Sequence, residues 1–164
     1  MALVAVIADT HMPRGSRRLP EECLRRLRTA DVVIHAGDLT GRSFLAGLLE
    51  LGRPLHVVRG NADEPELAAA LPAELVVAVE GVRIGVTHEP GPAPGREQRL
   101  IARFPGCDAV VYGHTHRQEV ARVGGVWVLN PGSPTERRRS PSRGILELDV
   151  HDAAIRPHAI MFDP

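Results

Sequence analysis

Aliphatic runs and amphipathic stretches alternate along the first half of the chain. The continuous aliphatic run at residues 3–8 predicts a buried strand, because a strand covered on both faces shows no polar alternation, and two further strands are predicted at residues 31–36 and 55–59. Residues 21–29 and 43–51 predict helices between these strands, with Pro20 at the start of the first, and a short helix is expected at 64–70. The first half therefore predicts a β-α-β-α-β order.

The second half is dominated by paired strands with turn residues between them. Hairpins are predicted for residues 74–80 with 82–87, 118–123 with 126–129, and 144–150 with 153–160. A helix at 96–104 and a buried strand at 108–112 lie between the first two hairpins. This combination predicts an α/β fold in which two mixed sheets pack face to face with helices outside.

Composition is typical of one globular domain, expected to span residues 1–164. The first aliphatic run is too short for a signal peptide or a membrane span, so a soluble, cytoplasmic protein without a membrane partner is expected. The 20 basic and 20 acidic residues balance, and aromatic residues make up 3% of the chain. Nucleic acid is therefore an unlikely partner, since a basic surface and stacking rings are both lacking.

Five polar clusters directly follow predicted strands. Successive clusters are 29, 23, 27 and 26 residues apart, counted from Asp9, which is about the length of a strand, a helix and a return strand. Such a period brings several side chains to one edge of a sheet, and the mixture of Asp, Asn and His favours a bound metal. The clusters are Asp9-Thr10-His11, Gly37-Asp38, Gly60-Asn61-Ala62-Asp63, Thr87-His88 and Gly113-His114-Thr115-His116.

Each cluster alone is compatible with an ordinary turn or helix cap, whereas the ordered set favours a shared metal site. Asp38 has two oxygens that could bridge two cations, and the amide oxygen of Asn61 suits manganese, iron or magnesium better than zinc. Two cations about 3.5–4 Å apart would bind a bridging hydroxide and polarise a phosphate. Seven side chains are available as ligands: Asp9, His11, Asp38, Asn61, His88, His114 and His116.

This ordered set resembles the calcineurin-like metallophosphoesterase superfamily. The short chain and the Asn130-Pro131-Gly132-Ser133 segment are similar to its small bacterial and archaeal phosphodiesterase branch, which also resembles the retromer subunit of this fold. The resemblance covers residues 3–133 and implies a four-layer αββα sandwich with two divalent cations, most often manganese, with iron, zinc or nickel as alternatives. It assigns one cation to Asp9, His11, Asp38 and His116, and the other to Asp38, Asn61, His88 and His114.

Two positions depart from the pattern of the superfamily. Many members have a histidine at position 62 that assists the leaving group, but this chain has Ala62. Because general acid catalysis contributes roughly 10²–10⁴-fold, slow turnover of poor leaving groups is expected. Asp63 is expected to have a structural role, and Glu89, where the superfamily often has glycine, is expected to point away from the site.

The predicted function is hydrolysis of phosphodiesters through a metal-bridging hydroxide, with a small phosphorylated substrate. Asp38, Asn61 and His114 are the predicted catalytic residues. The alternative is a metal-binding scaffold or protein-interaction module of the same fold with little catalysis. His35 is expected to orient Asp38, the Arg137–Arg139 run is either a solvated loop or a phosphate-steering element, and an exposed hairpin edge makes a homodimer plausible.

Overall fold

Two five-stranded sheets and four helices make up the fold. The computed structural model describes residues 1–163. The strands are β1 Ala2–Ile7, β2 Val32–His35, β3 Leu55–Val57, β4 Glu74–Val79, β5 Val82–Thr87, β6 Ala109–Val111, β7 Gln118–Val123, β8 Val126–Pro131, β9 Gly144–His151 and β10 Ala154–Met161. The helices are α1 Glu21–Thr29, α2 Arg42–Leu49, α3 Pro65–Ala70 and α4 Arg96–Arg103.

Both sheets are mixed. The first has the strand order β10-β9-β1-β2-β3, and the second has the order β4-β5-β6-β8-β7. Strands β1, β2 and β3 run parallel to one another, as do β5, β6 and β8. The carboxyl ends of parallel strands meet at one edge of a sheet, so the loops that follow these strands are brought together there.

The faces of strand β1 explain the layered packing. Val4 and Val6 lie in the core between the two sheets, whereas Ala5 and Ile7 lie in a second core that includes Leu27 of helix α1. A third core packs Leu100 of helix α4 against the second sheet. A strand with apolar layers on both faces needs apolar residues at every position, which is why residues 3–8 form a continuous aliphatic run.

The predicted α/β architecture, a four-layer αββα sandwich, is confirmed. Every predicted helix and strand is present, with ends that agree to within two residues. Strand β8 extends through Pro131, so that Asn130 lies within the strand. No helix within residues 1–163 is both long enough and apolar enough to cross a membrane.

Candidate metal centre

The seven predicted ligands meet where the carboxyl edges of the two sheets face each other. The Asp38 Oδ2 atom lies 3.4 Å from His11 Nε2 and 3.3 Å from His88 Nε2. The Asp9 Oδ1 atom lies 3.4 Å from His116 Nε2. Residues from four separate loops therefore surround two carboxylates.

The two remaining residues lie at the mouth of the site. Asn61 Oδ1 is 3.0 Å from both His88 Nε2 and His114 Nδ1. Asn61 and His114 are exposed, whereas the other five residues are buried. A ligand arriving from solvent therefore meets Asn61 and His114 first.

Five of the seven residues have a left-handed backbone. This conformation is uncommon outside glycine and costs on the order of 1–3 kcal/mol per residue, and such residues cluster at functional sites. The φ angles are 54° for Asp9, 47° for His11, 58° for Asp38, 72° for His114 and 59° for His116.

Two glycines allow the loops to approach the ligands closely. Gly37 has a φ of 93°, and a Cβ atom there would come within 2.6 Å of the His88 ring nitrogen Nδ1. A Cβ atom on Gly60 would overlap the Asp38 carboxylate. Both positions therefore require glycine, because any side chain would overlap a candidate ligand.

Hydrogen bonds brace these loops. Asp63 accepts the backbone N–H groups of Thr40 and Gly60 at 2.8 and 2.7 Å, which occupies both of its oxygens and ties the Asp38 loop to the Asn61 loop. Asn130 donates to Gly113 O at 3.1 Å and so holds the loop that carries His114 and His116. Asp63 therefore has the structural role expected for it.

His35 links the loop that follows strand β1 to the loop that follows strand β2. Its Nδ1 atom accepts the backbone N–H of Gly37 at 3.2 Å, so Nε2 carries the proton and donates to the Thr10 hydroxyl at 2.9 Å. The ring is completely buried, and burial lowers its pKa to about 3. The neutral His35 ring therefore connects Thr10, which lies between Asp9 and His11, with Gly37, which precedes Asp38.

Replacement of His35 by glutamine should reduce the acid sensitivity of folding. The folded pKa of about 3 lies below the ordinary value of 6.5, so stability is retained above pH 6.5 and lost as pH falls toward 3. At pH 5 the loss due to His35 is about 2 kcal/mol. Urea unfolding in chelator at pH 7.5 and pH 5 should show a pH-dependent loss smaller by about this amount in His35→Gln. The exposed His158→Gln serves as control, and equal acid sensitivity of His35→Gln and the wild type would contradict the prediction.

The side chains present fit a divalent cation. Asp9 Oδ1 and both ring nitrogens of His11 are buried and have no hydrogen-bond partner among residues 1–163. Such groups cost free energy unless something satisfies them, and carboxylate and imidazole donors are what manganese, iron and zinc bind. Ligand atoms of Asp9, His11 and His116 lie within 4.8 Å of one another, as do those of Asp9, Asp38 and His88.

Burial and mutual attraction set the protonation of this group. Burial raises the pKa of Asp9 to about 8. Burial alone would lower the pKa of His88, but the hydrogen bond and charge of Asp38 and the charge of Asp9 together raise it to about 9. Burial would likewise raise the pKa of Asp38, but His88 outweighs that effect and lowers it to about 2. Asp9 and His88 influence each other, so without a cation this pair holds at least one proton at pH 7.

The other two buried histidines are neutral at pH 7. Burial, together with the charge of Arg138, lowers the pKa of His116 to about 4. The pKa of His11 is also lowered, again chiefly by burial. Neutral imidazole is the form that binds metals, so these two side chains are ready to act as ligands.

The affinity for Mn²⁺ should rise with pH, because a cation must displace at least one proton held by the pair of Asp9 and His88. The pKa values of both side chains are raised, so this proton is present below pH 8. Linkage then predicts at least about a tenfold gain in affinity per pH unit between pH 6 and pH 8. Competition with a fluorescent chelator, corrected for its own titration, measures this dependence. Equal affinities at pH 6 and pH 8 would contradict it.

Glu136 is a residue that the sequence did not identify. Its Oε2 atom lies 3.5 Å from His116 Nδ1, on the side of the ring opposite Asp9, and its carboxylate also pairs with Arg17 and with Arg138. A carboxylate behind a metal-binding histidine fixes the ring orientation and leaves the other nitrogen free to bind. The middle arginine of the Arg137–Arg139 run is thus placed near the site.

Glu136→Gln should lower the affinity for Mn²⁺ by about 10- to 100-fold, the usual effect of losing such a supporting carboxylate. Glu147→Gln is a matched control, since its side chain is 12% exposed against 13% for Glu136 and it also pairs with an arginine, Arg26. Calorimetric titration with Mn²⁺ measures both variants. Wild-type affinity in Glu136→Gln would show that this carboxylate has no such role.

Comparisons with known proteins agree with the fold. The sequence profile of the calcineurin-like phosphoesterase superfamily domain matches residues 2–153. A probable metallophosphoesterase of Methanothermobacter thermautotrophicus is 34% identical over 150 residues, which cover 90% of this chain and 86% of that protein. This chain belongs to the calcineurin-like phosphoesterase superfamily.

Two solved structures are similar over nearly their whole length. The solution NMR structure of a Thermotoga maritima protein is 31% identical, with a TM-score of 0.77, and the match covers 99% of this chain and 100% of that one. Wild-type Vps29 of Entamoeba histolytica, solved in complex with Zn²⁺, is 27% identical, with a TM-score of 0.75 and coverage of 98% and 99%.

Proposed function

We propose that this protein is a phosphoesterase that uses two divalent cations, manganese foremost, to hydrolyse small phosphodiesters. The observation that carries the proposal is the convergence of seven ligand-type side chains, several of whose buried polar atoms lack any partner among residues 1–163. Membership of the superfamily supports a hydrolase, and the Zn²⁺ complex of the similar Vps29 structure supports binding of a divalent cation.

The proposed ligands divide into two groups that share Asp38. Its Oδ2 atom is nearly equidistant from His11 and His88, which fits a carboxylate between two cations. The first cation would be held by Asp9, His11, Asp38 and His116. The second would be held by Asp38, Asn61, His88 and His114.

Bound divalent cations supply Lewis-acid polarisation of a phosphate and ionised water as a nucleophile at neutral pH. The chain contributes the positioning groups. His88 donates its Nδ1 proton to Ala36 O at 2.8 Å, which directs Nε2 into the site. Asn61 and His114 lie at the mouth, where they can orient an entering phosphate, and together with Asp38 they are the proposed catalytic residues.

The absence of a histidine at position 62 favours substrates with good leaving groups. The Ala62 backbone N–H donates to Asp38 Oδ1 at 2.7 Å, so this residue supports the proposed bridging carboxylate and offers no side-chain acid. Asp63 cannot easily substitute, because both of its oxygens accept backbone N–H groups. Such a site suits esters whose leaving group departs without protonation.

A metal-binding scaffold with little catalysis is the second candidate function. Ala62 in place of the histidine favours it, as does the similarity to Vps29. The retention of all seven candidate ligands favours the enzyme.

Hydrolysis of bis(p-nitrophenyl) phosphate and p-nitrophenyl phosphate by metal-stripped and manganese-loaded protein distinguishes the two candidates. The proposed function predicts turnover that requires manganese and is faster with the diester. No metal-dependent turnover of either ester would favour the scaffold.

A further inference from the structure

A cavity of about 490 Å³ adjoins the candidate metal centre on the side of Asn61 and His88. These two residues form part of its wall, so the cavity and the metal centre are continuous. A volume of this size lies within the range of small-molecule sites and exceeds what a phosphate alone would fill. The cavity therefore has room for a substituent attached to a phosphate.

Arg103 forms another part of the cavity wall and is held by several contacts. Arg103 pairs with Glu74 and donates to the Thr87 hydroxyl and to the Glu89 carbonyl oxygen, both at 2.9 Å. Its guanidinium is thus fixed and its charge is compensated by Glu74. This arginine shapes the cavity and has little free charge to offer a ligand.

Arg59 differs from Arg103 in that its charge is uncompensated. It lines the same cavity, it is exposed, and its side chain forms no ion pair or hydrogen bond with any residue from 1 to 163. Three small residues, Ala68, Ala69 and Ala73, line the cavity beside it and leave it roomy. The lining therefore combines apolar surface, which can contact the body of a substituent, with one positively charged side chain, Arg59, that is free to bind an anionic group.

We propose that this cavity binds one ester substituent of the substrate and that Arg59 selects substituents carrying an anionic group such as a carboxylate. The inference rests on the proposed phosphodiesterase function and adds a substrate class to it. Guanidinium groups bind carboxylates through two parallel hydrogen bonds, which makes Arg59 the element of specificity in the cavity. Glu89 is the one carboxylate among the lining residues described. Its negative charge repels an anionic ligand and so reduces the preference for a carboxylate that Arg59 provides.

Binding of two non-hydrolysable probes to manganese-loaded protein tests the proposal. 4-Carboxyphenylphosphonate carries the anionic group, and 4-carbamoylphenylphosphonate has the same shape without it. Calorimetry should give about five- to tenfold tighter binding of the carboxylate probe to the wild type, within the range for a partly exposed charge-assisted hydrogen bond. Arg59→Gln should abolish the preference for the carboxylate probe, and Glu89→Gln should increase that preference.

Arg53→Gln is the matched control. Arg53 precedes strand β3, Arg59 follows it, and Arg53 is exposed and does not line the cavity. Both variants remove one positive charge, but only Arg59→Gln should abolish the preference. Equal binding of the probes to the wild type, or a preference retained in Arg59→Gln, would overturn the proposal.

Probe binding and diester hydrolysis test the cavity and the catalytic proposal separately. If bis(p-nitrophenyl) phosphate is not hydrolysed while the probes still discriminate through Arg59, the binding site stands and the catalytic proposal fails. If the diester is hydrolysed and the probes bind equally, the catalytic proposal stands and the specificity of the cavity is wrong.

Discussion

Replacing Asp38 by asparagine is expected to lower manganese-dependent hydrolysis of an aryl phosphodiester by at least about a thousandfold, equivalent to roughly 4 kcal/mol of transition-state stabilisation. Its Oδ2 atom lies between His11 and His88, so loss of the charge weakens both halves of the proposed centre at once. Asparagine keeps the size of the side chain, which separates the effect of charge from that of packing. Initial rates and metal content by mass spectrometry measure the outcome.

Asp63→Asn is the matched control for this experiment. The same atomic change is made in a neighbouring loop, at a carboxylate that binds backbone N–H groups instead of facing the histidines. We expect this variant to keep its metal and to lose about 1–2 kcal/mol of stability, because an amide nitrogen cannot accept the second N–H. If Asp38→Asn retained more than about a tenth of the wild-type rate, the role proposed for Asp38 would be wrong.

Replacing Asp9 by asparagine should stabilise the metal-free protein and reduce its stabilisation by manganese. The pKa of Asp9 is raised from 3.8 to about 8, chiefly by burial. The folded state therefore holds a proton that the unfolded chain releases, and stability falls as pH rises from 3.8 toward 8. Asparagine has no such proton, so at pH 8 the metal-free variant should be more stable by on the order of 2–4 kcal/mol.

Thermal unfolding at pH 8, in chelator and in excess Mn²⁺, measures both parts of this prediction. A cation at a hundredfold excess over its Kd stabilises the wild type by about 2.7 kcal/mol, or roughly 5–10 °C for a chain of this length. The melting temperature of Asp9→Asn should be above that of the wild type in chelator and should rise less on addition of manganese, because only the cation assigned to Asp38, Asn61, His88 and His114 keeps all its ligands. An equal response of the two proteins would exclude Asp9 as a ligand.

The layered fold could be predicted because a strand that is buried on both faces has apolar residues at successive positions. Strand β1 separates two apolar cores, so it must be aliphatic throughout, and the polar residues that follow it necessarily emerge at the sheet edge. The ends of the elements were less certain. Strand β8 continues through Asn130 and Pro131, a segment whose turn-like composition hides its pairing with β7.

The site could be predicted in part for the same reason. Ligand types and spacing indicated which side chains share a pocket, but the left-handed backbone of His11 and His116 leaves no mark on the sequence. Glu136 approaches His116 from a loop far along the chain, through a contact that no local pattern specifies. Arg59 acquires its proposed role only when helix α3 forms the side of the cavity.

Anomalous diffraction from crystals grown with Mn²⁺ tests the central claim most directly. If the seven side chains jointly bind two cations, two peaks should lie about 3.5–4 Å apart, with the Asp38 carboxylate within bonding distance of both. Absence of any peak within about 3 Å of that carboxylate, with manganese bound only at surface acidic groups, would contradict the proposed centre and the chemistry that depends on it.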